Sequence, residues 1–418
     1  MHILHIVQLY YPVASGAARY FAEVGERLVR EGHRVTVLAT DAYDLEYFWN
    51  PSRRRIATRE ESHNGVQIVR LPVRRLPGPA IVYPIVRRLM TELARLPGSA
   101  RLLRRMATLT PRLPGLPGWL VDQAPYDLIH ATNITLDFAI VPAFDFARRA
   151  GIPFICTPFV HLGPPGDSSL LRYYSMPHQI DLLAHSARVI TMTELEASEL
   201  ARRGVPRDRL RRVGVGVTPA EVLGGDGARF RAEQRIGGPL VLYIGALAYD
   251  KGAIPAIEAM RRLWAQGNQA TLVLIGAPLE QFTRFHAQLP ADIQARIRVL
   301  PYAPEPTKRD ALAAADVFAM PSRTDSFGIA YLEAWCYGLP VVGARAGGVP
   351  DVIDDGQDGL LAPFGDSAAT AAAIGRLLSD RALAARLGAA GKAKVLRELT
   401  WEQIYAKVRA VYAELLPL

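Results

Sequence analysis

The chain has 418 residues, of which 50% are hydrophobic, with a mean hydropathy of +0.09 and a formal net charge of +9. This length predicts two domains of about 200 residues each, and the lack of an apolar run of about eighteen residues excludes a transmembrane helix. The first residues, MHILHIVQLYYP, do not resemble a signal peptide. Cys156 and Cys336 lie in apolar segments and are predicted to be reduced core residues, so we expect a cytoplasmic protein.

Short runs rich in Val and Ile alternate with helical segments, which is the pattern of parallel α/β sheets. The predicted strands of the first half are 2–9, 34–39, 66–70, 128–130, 153–157, 188–192 and 211–215. Those of the second half are 240–244, 271–275, 298–300, 317–320 and 340–343. The stretch 218–238 is rich in Gly and predicted to be a linker, and 400–418 is predicted to be a helix. We therefore predict an α/β protein with two Rossmann-like domains.

The segment 74–112 carries most of the net charge. It has nine arginines (74, 75, 87, 88, 95, 101, 104, 105 and 112) against one acid, Glu92, which gives +8. Basic pairs alternate there with apolar residues, which suits an amphipathic surface facing anionic lipid. A solvated, arginine-rich helical hairpin with its apolar stripe packed on the first domain fits equally well. Nucleic acid is not expected, because no recognised binding motif or aromatic platform accompanies the charge.

The most informative segment is PSRTDSFGIAYLEAWCYGLPVV, residues 321–342. Ser-Phe-Gly after Asp325 is predicted to open a helix, whose exposed N–H groups at Phe327 and Gly328 suit a phosphate or a sugar oxygen. Glu333 lies about five residues into that helix, where a carboxylate can accept hydrogen bonds from the vicinal diol of a ribose. The segment therefore outlines a nucleotide-sugar site.

Ligands of parallel sheets bind beyond the carboxyl ends of the strands, so the residues after each strand are the next candidates. Ser15-Gly16 follows the first strand, and Gly245 and Lys251 follow the strand that opens the second half. Lys251 is one of only five lysines, which suggests a specific need for a compact charge. Arg323 and Arg345 both follow strands and are alternatives for a second positive charge. His161 and, less strongly, His130 are candidates at strand ends of the first half.

The Asp325 to Glu333 segment, with GLPVV and Gly347-Gly348 after it, resembles the Glu-x7-Glu signature of retaining GT-B glycosyltransferases of family 4. The resemblance implies two Rossmann-like domains facing a central cleft: an acceptor domain, 1–217, with the helix 400–418 packing back on it, and a nucleotide-sugar donor domain, 218–399. By the same resemblance, His161, Lys251 and Asp325 are catalytic. The implied donor-binding residues are Gly16, Gly245, Lys251, Arg323, Asp325, Phe327, Gly328 and Glu333. The chain departs from the family pattern at Ser15, Thr132, Ala246 and Asp325.

The function implied by this resemblance is transfer of a hexose from a nucleoside-diphosphate sugar to a glycan or lipid-linked acceptor, in bacterial cell-envelope or polysaccharide synthesis. No Asp-x-Asp motif is present, so we expect neither a metal nor another cofactor. A cytoplasmic enzyme, peripheral at the inner face of the membrane through 74–112, would fit. The alternatives are a non-catalytic nucleotide-sugar-binding subunit, motivated by the four departures, and a nucleotide-sugar epimerase of the same fold.

Overall fold

The computed structural model describes residues 1–13 and 15–416. These residues form two compact units. The first unit contains the described parts of Met1–Val160, Ser169–Val213 and the segment that begins at Tyr405. The second unit contains His161–Ser168 and Gly214–Ile404.

The first unit is built on an eight-stranded sheet of order β3-β4-β2-β1-β5-β6-β7-β8. The strands are β1 His2–Ile6, β2 Arg34–Thr40, β3 Glu60–His63, β4 Val66–Leu71, β5 Leu128–Thr132, β6 Phe154–Thr157, β7 Arg188–Thr191 and β8 Leu210–Arg212. All neighbouring strands pair in parallel except β3 with β4. The edge strand β3 was not predicted, because its sequence, EESH, has no apolar alternation.

The helices of the first unit pack on this sheet or on one another. They are α1 Gly16–Arg30, α2 Val82–Leu93, α3 Ala100–Ala107, α4 Leu116–Asp122, α5 Asp137–Ala150, α6 Pro177–His185 and α7 Glu194–Arg202. Single 3-10 turns lie at Leu45–Phe48, Ile134–Leu136, Leu171–Tyr173 and Arg207–Arg209.

The second unit is built on a six-stranded, wholly parallel sheet of order β11-β10-β9-β12-β13-β14. The strands are β9 Leu240–Ile244, β10 Thr271–Ile275, β11 Ile297–Leu300, β12 Val317–Met320, β13 Val341–Ala344 and β14 Leu360–Ala362. The helices are α8 Pro219–Val222, α9 Gly227–Gln234, α10 Ala253–Ala265, α11 Glu280–Ala287, α12 Ala291–Gln294, α13 Glu305–Ala314, α14 Ile329–Cys336, α15 Ser367–Ser379 and α16 Arg381–Glu398, with a 3-10 turn at Val349–Asp351. The predicted α/β class with two parallel sheets is thus confirmed.

The predicted linker 218–238 is wrong, because it contains α8 and α9. Its glycines serve close packing rather than flexibility. A Cβ atom on Gly225 would lie 2.1 Å from the Arg309 carbonyl oxygen, and one on Gly227 would lie 2.5 Å from the Ala313 carbonyl oxygen. Both contacts are with α13, so the small residues allow this segment to lie against that helix.

The last helix, α17 Trp401–Ala413, corresponds to the helix predicted at 400–418, of which Pro417 and Leu418 lie outside the described residues. From Tyr405 onward this helix belongs to the first unit. The Tyr412 hydroxyl lies 2.6 Å from His130 Nδ1 and 3.1 Å from His5 Nε2. All three side chains are fully buried, and burial lowers the pKa of both imidazoles, so they stay neutral.

Replacing Tyr412 by Phe should lower the free energy of unfolding by about 1–3 kcal/mol, because two buried imidazole nitrogens lose their partner. Chemical denaturation would measure this. Tyr126→Phe is the matched control. The Tyr126 hydroxyl is buried and has no hydrogen-bond partner among the residues that the structure describes, so its loss should change stability by less than about 0.5 kcal/mol. Equal effects of the two substitutions would contradict the role assigned to Tyr412.

Candidate active site

Three neighbouring strands of the second unit, β9, β12 and β13, end at the same edge of the sheet. The segments that follow them are 245–252, 321–328 and 345–348. Because parallel strands present their carboxyl ends together, these segments form one candidate site.

The backbone turn that carries Lys251 is fixed by hydrogen bonds and by a glycine. The Tyr243 hydroxyl donates to the Ala246 carbonyl at 2.9 Å or to the Lys251 carbonyl at 3.0 Å, which ties the turn together. Gly245, at the end of β9, donates its N–H to the Ile275 carbonyl at 3.0 Å. Gly252 has φ of 91°, and a Cβ atom there would lie 2.5 Å from Pro321. A glycine is therefore required for Lys251 to approach the segment after β12.

Asp325 is the counter-ion of Lys251. The Lys251 Nζ lies 3.1 Å from Asp325 Oδ1, and the two side chains are 32% and 19% exposed. Burial is the largest influence and disfavours the ionised carboxyl, but the Lys251 ammonium and the smaller contributions of Ser322 and His161 together hold the pKa of Asp325 below its ordinary value. The other oxygen, Oδ2, is buried and accepts no hydrogen bond from the residues that the structure describes. Asp325 is thus an ionised carboxylate, and its Oδ2 is a buried acceptor with no partner among the described residues.

His161 belongs to this same cluster. It opens the segment His161–Ser168, which is part of the second unit and is anchored there by the Gly347 N–H, which donates to the Gly163 carbonyl at 2.8 Å. Burial, helped by Lys251 and opposed by Asp325, lowers the pKa of His161 to about 4. The imidazole is therefore neutral at neutral pH and can both donate and accept a hydrogen bond.

Gly347 and Gly348, after β13, fix the backbone of Asp325. The Gly348 N–H donates to the Asp325 carbonyl at 2.9 Å. Gly347 has φ of 60°, and a Cβ atom on it would lie 2.3 Å from the same carbonyl oxygen. The glycine pair thus allows the segment after β13 to approach the Asp325 backbone closely. The sequence pattern alone did not specify this role.

The helix predicted after Asp325 is α14, which begins at Ile329. Gly328 precedes it with φ of 89°, and no side chain caps this end. Phe327 is 7% exposed, and its ring lies 3.3 Å from where a Cβ atom on Gly214 would be. The uncapped backbone N–H groups at the start of α14 are suited to an anionic oxygen.

Glu333 lies inside α14 and forms an ion pair that the sequence analysis missed. Lys308 of α13 places its Nζ 3.0 Å from Glu333 Oε1 and 2.8 Å from Glu305 Oε2. Burial is the largest influence and would lower the pKa of Lys308, but Glu333 and Glu305 together outweigh it and the pKa is raised. The rarity of lysine, which drew attention to Lys251, applies equally to Lys308 and could have identified it.

The two candidate arginines differ in their surroundings. The Arg323 Nε lies 2.9 Å from Asp250 Oδ1, and its Nη1 lies 3.7 Å from Asp167 Oδ2. The Arg323 backbone N–H also donates to the Asp250 carbonyl at 3.0 Å, next to Lys251. Arg345 instead pairs with Asp355, and its side chain is 50% exposed. Arg323 is thus tied to the residue that precedes Lys251, whereas Arg345 is not. This favours Arg323 over Arg345 as the second positively charged side chain of the candidate site.

Gly16, His130 and Thr132 belong to the first unit. The Ser15 hydroxyl caps α1 by accepting from the Ala18 N–H at 3.1 Å, and no atom of the residues that the structure describes lies within 4 Å of where a Cβ atom on Gly16 would be. Thr132 ends β5 and, like His130, is fully buried. Because both nitrogens of His130 have hydrogen-bond partners, Tyr412 and Thr157, its environment is that of a core residue.

No group of three or more His, Cys, Asp or Glu side chains is arranged for a metal ion within residues 1–13 and 15–416.

The fold matches solved glycosyltransferase structures along the whole chain. Sucrose-phosphate synthase from Thermosynechococcus elongatus superposes with a TM-score of 0.74 and 21% identity, covering 99% of this chain and 98% of that one. Anabaena HepE, solved in complex with UDP and glucose, gives 0.71 and 18%, covering 99% and 100%. The protein therefore has the GT-B fold.

The sequence comparisons define the family. Residues 15–216 match the glycosyl transferase 4-like domain, and residues 228–394 match glycosyl transferases group 1. The D-inositol 3-phosphate glycosyltransferase of Acidothermus cellulolyticus is 30% identical over 96% of this chain and 86% of its own length. A GDP-mannose-dependent phosphatidylinositol monomannoside mannosyltransferase of Mycolicibacterium smegmatis is 34% identical over 42% of this chain and 48% of its own length. The chain belongs to the family 4 (group 1) glycosyltransferases, which confirms the resemblance seen in the sequence.

The low pKa of His161 can be tested by following its imidazole C2–H resonance in an NMR titration, with the signal assigned by its loss in His161→Gln. The midpoint should lie near pH 4 rather than near the ordinary value of about 6.5. Lys251→Met should raise this pKa, because the repelling ammonium is removed, and Asp325→Asn should lower it. Lys392→Met, at an exposed lysine, is the control and should leave it unchanged. A wild-type midpoint near 6.5 would contradict the burial of His161 beside Lys251.

Proposed function

We propose that this protein is a retaining, metal-independent hexosyltransferase that transfers a sugar from a nucleoside-diphosphate sugar to a glycan or lipid-linked acceptor in the cytoplasm. The observation that carries the proposal is the Lys251–Asp325 ion pair at 3.1 Å, with the neutral His161 beside it and Asp325 Oδ2 unused by the described residues. A cation, a carboxylate acceptor and a neutral imidazole at one sheet edge suit a diphosphate and a sugar together.

The donor diphosphate would be held by Lys251, by Arg323 and by the N–H groups at the start of α14, including those of Phe327 and Gly328. Such groups stabilise the charge that develops on the leaving diphosphate without a metal ion. Both cations are paired with carboxylates in this structure. A diphosphate would replace these carboxylates as the partner of each cation.

The sugar and the ribose would be recognised by carboxylates. Asp325 Oδ2 can accept a hydrogen bond from a sugar hydroxyl, and His161 can donate one. Glu333 would accept from the ribose diol, and Lys308 would keep that carboxylate ionised and fixed in orientation. Gly245 would leave room for the donor next to β9, and Gly16 would do the same in the acceptor domain.

The proposed chemistry is a front-face displacement. The bond between the sugar C1 and the diphosphate oxygen breaks, and the acceptor oxygen forms a bond to C1 on the same face. The acceptor proton passes to the departing phosphate oxygen, so no protein nucleophile is needed.

The sugar donors named for similar proteins support a nucleotide-sugar substrate. HepE was solved with UDP-glucose as well as with UDP and glucose, and the Mycolicibacterium relative is GDP-mannose-dependent. A glycosyltransferase of amylovoran biosynthesis from Erwinia amylovora is 27% identical over 56% of this chain and 58% of its own length, which supports a role in polysaccharide synthesis.

The second candidate is a non-catalytic nucleotide-sugar-binding subunit. It is favoured by Ala246, which stands where the family pattern has an arginine for the diphosphate. Arg323 is the group that would compensate for this loss in an active enzyme.

Glu333→Gln and Lys251→Ala should each reduce turnover by roughly tenfold to several hundredfold, because each removes one charge-assisted hydrogen bond to the donor. Lys308→Met should raise the KM for the donor more than it lowers kcat, because it disorders a binding carboxylate rather than a group at C1. Steady-state kinetics with the matched donor would measure these effects. Lys392→Met is the control. Unchanged kinetics for Glu333→Gln or Lys251→Ala would refute the donor site.

The enzyme hypothesis and the binding-subunit hypothesis can be distinguished by measuring activity in the absence of a metal ion. A thermal-shift screen with UDP-, GDP-, ADP- and dTDP-sugars should identify the matched donor, because a ligand of the folded state raises the melting temperature. Transfer or slow hydrolysis of that donor should then proceed at similar rates in EDTA and in magnesium. Strict dependence on a divalent ion would contradict the metal-free mechanism. Tight donor binding without turnover for any acceptor would favour the binding subunit.

A further inference from the structure

Helices α2 and α3 of the first unit have an outer face that is both apolar and basic, here called the α2–α3 face. Its apolar side chains, on the helices and the residues that flank them, are 49–60% exposed: Ile81 60%, Ile85 57%, Leu89 49%, Leu96 57% and Leu102 50%. Ile81, Ile85 and Leu89 are spaced by four residues, so they form one stripe along α2. Large aliphatic side chains grouped in this way on a surface mark an interaction site.

The inner side of the same helices accounts for their packing in the unit. Arg87 is buried, places its Nη1 2.8 Å from Asp137 Oδ1 and donates to the Thr135 carbonyl at 3.0 Å. Met90 and Leu103 are fully buried. Arg104 pairs with Asp145. The outer apolar residues are therefore not needed to hold the helices in place.

The charges of the outer face are unbalanced. Arg88, Arg101 and Arg105 are exposed and form no ion pair with any residue that the structure describes. The acid of this segment, Glu92, lies 2.8 Å from Arg95. Aliphatic side chains interleaved with unpaired arginines match an anionic lipid surface, where the chains enter the acyl boundary and the guanidinium groups meet lipid phosphates.

The α2–α3 face also lies near the edge of the sheet where the parallel strands have their carboxyl ends. The Tyr83 ring of α2 stacks on Trp49, which follows β2, with ring centroids 5.0 Å apart. Arg87 binds Asp137 and Thr135, which follow β5. Helix α2 therefore packs on segments that leave the carboxyl ends of the strands, which is also the edge where α1 begins at Gly16 after β1.

We propose that the α2–α3 face docks the first unit on an anionic bilayer surface. With 12 and 8 residues, α2 and α3 are too short to cross a bilayer, and none of the helices in the described part of the chain is long and apolar enough to do so. The first unit would lie on the lipid with the carboxyl edge of its sheet near the headgroups. The docking does not depend on the proposed function, but the supply of a lipid-linked acceptor to that edge rests on it.

The test is co-sedimentation with vesicles of phosphatidylcholine alone or of phosphatidylcholine with phosphatidylglycerol. The wild-type protein should sediment only with the second kind and should be largely released by high salt. The triple variant Arg88→Gln, Arg101→Gln, Arg105→Gln should lower the partition coefficient on the order of 100-fold, since each basic residue contributes about fivefold. The charge-matched control is Arg30→Gln, Arg149→Gln, Arg212→Gln, at exposed arginines elsewhere in the first unit, and it should bind like wild type.

A second variant tests the apolar contribution. Ile85→Ser with Leu89→Ser should lower the partition coefficient by at least about tenfold, and the binding that remains should be fully released by salt. Retained donor binding in the second unit and unchanged circular dichroism would verify folding of every variant. Loss of donor response with intact vesicle binding would count against the proposed function alone.

Three results would overturn the proposal. One is equal sedimentation of wild type with neutral and anionic vesicles, or with neither. Another is an equal loss of binding in the two triple variants, which would reflect net charge rather than this face. The third is a dimer in sedimentation equilibrium that Ile85→Ser with Leu89→Ser dissociates, because a second copy of the chain would then cover the face.

Discussion

The candidate site depends on the position of Asp325. Its carboxylate pairs with Lys251, which follows β9, and its backbone carbonyl accepts the Gly348 N–H, which follows β13. Asp325 itself follows β12, so one residue joins the ends of three adjacent strands. Its charge also opposes the lowering of the His161 pKa by burial and by Lys251. A displacement of this backbone would therefore change the cation, the carboxylate and the imidazole together.

A second buried carboxylate organises the first unit in a similar way. Asp137, at the start of α5, accepts from Arg87 of α2 at 2.8 Å and contacts His178 Nε2 at 2.9 Å and Gln179 Nε2 at 3.2 Å, both of α6. Burial is the largest influence and opposes ionisation of Asp137, but Arg87 and His178 together outweigh it and the pKa of Asp137 is lowered. Removing one member of such a buried set leaves a charge without a partner, at a cost of about 3–5 kcal/mol. This network fixes α2 and so sets which of its sides faces solvent.

The basic segment 74–112 has an inner side that packs in the way the hairpin alternative expects and an outer side that the proposed membrane docking would use. The inner sides of α2 and α3 pack like an ordinary hairpin through Arg87, Met90 and Leu103. The outer sides keep unpaired arginines among exposed aliphatic residues. Arg87 and Arg88 are adjacent in the chain, yet one is buried in an ion pair and the other is exposed. A count of charges could not separate them, because helical position relative to Asp137 decides their roles.

The sequence by itself determined the α/β class, most of the strands and the segments that follow β9 and β12, because parallel strands leave a local apolar pattern and place functional residues at their carboxyl ends. It also identified Lys251, Asp325 and Glu333 as candidates. Only the tertiary structure paired Glu333 with Lys308, placed His161 in the second unit and revealed the close packing of Gly225 and Gly227. These features depend on burial and on contacts between residues distant in the chain, and such contacts leave no periodic signal in the sequence.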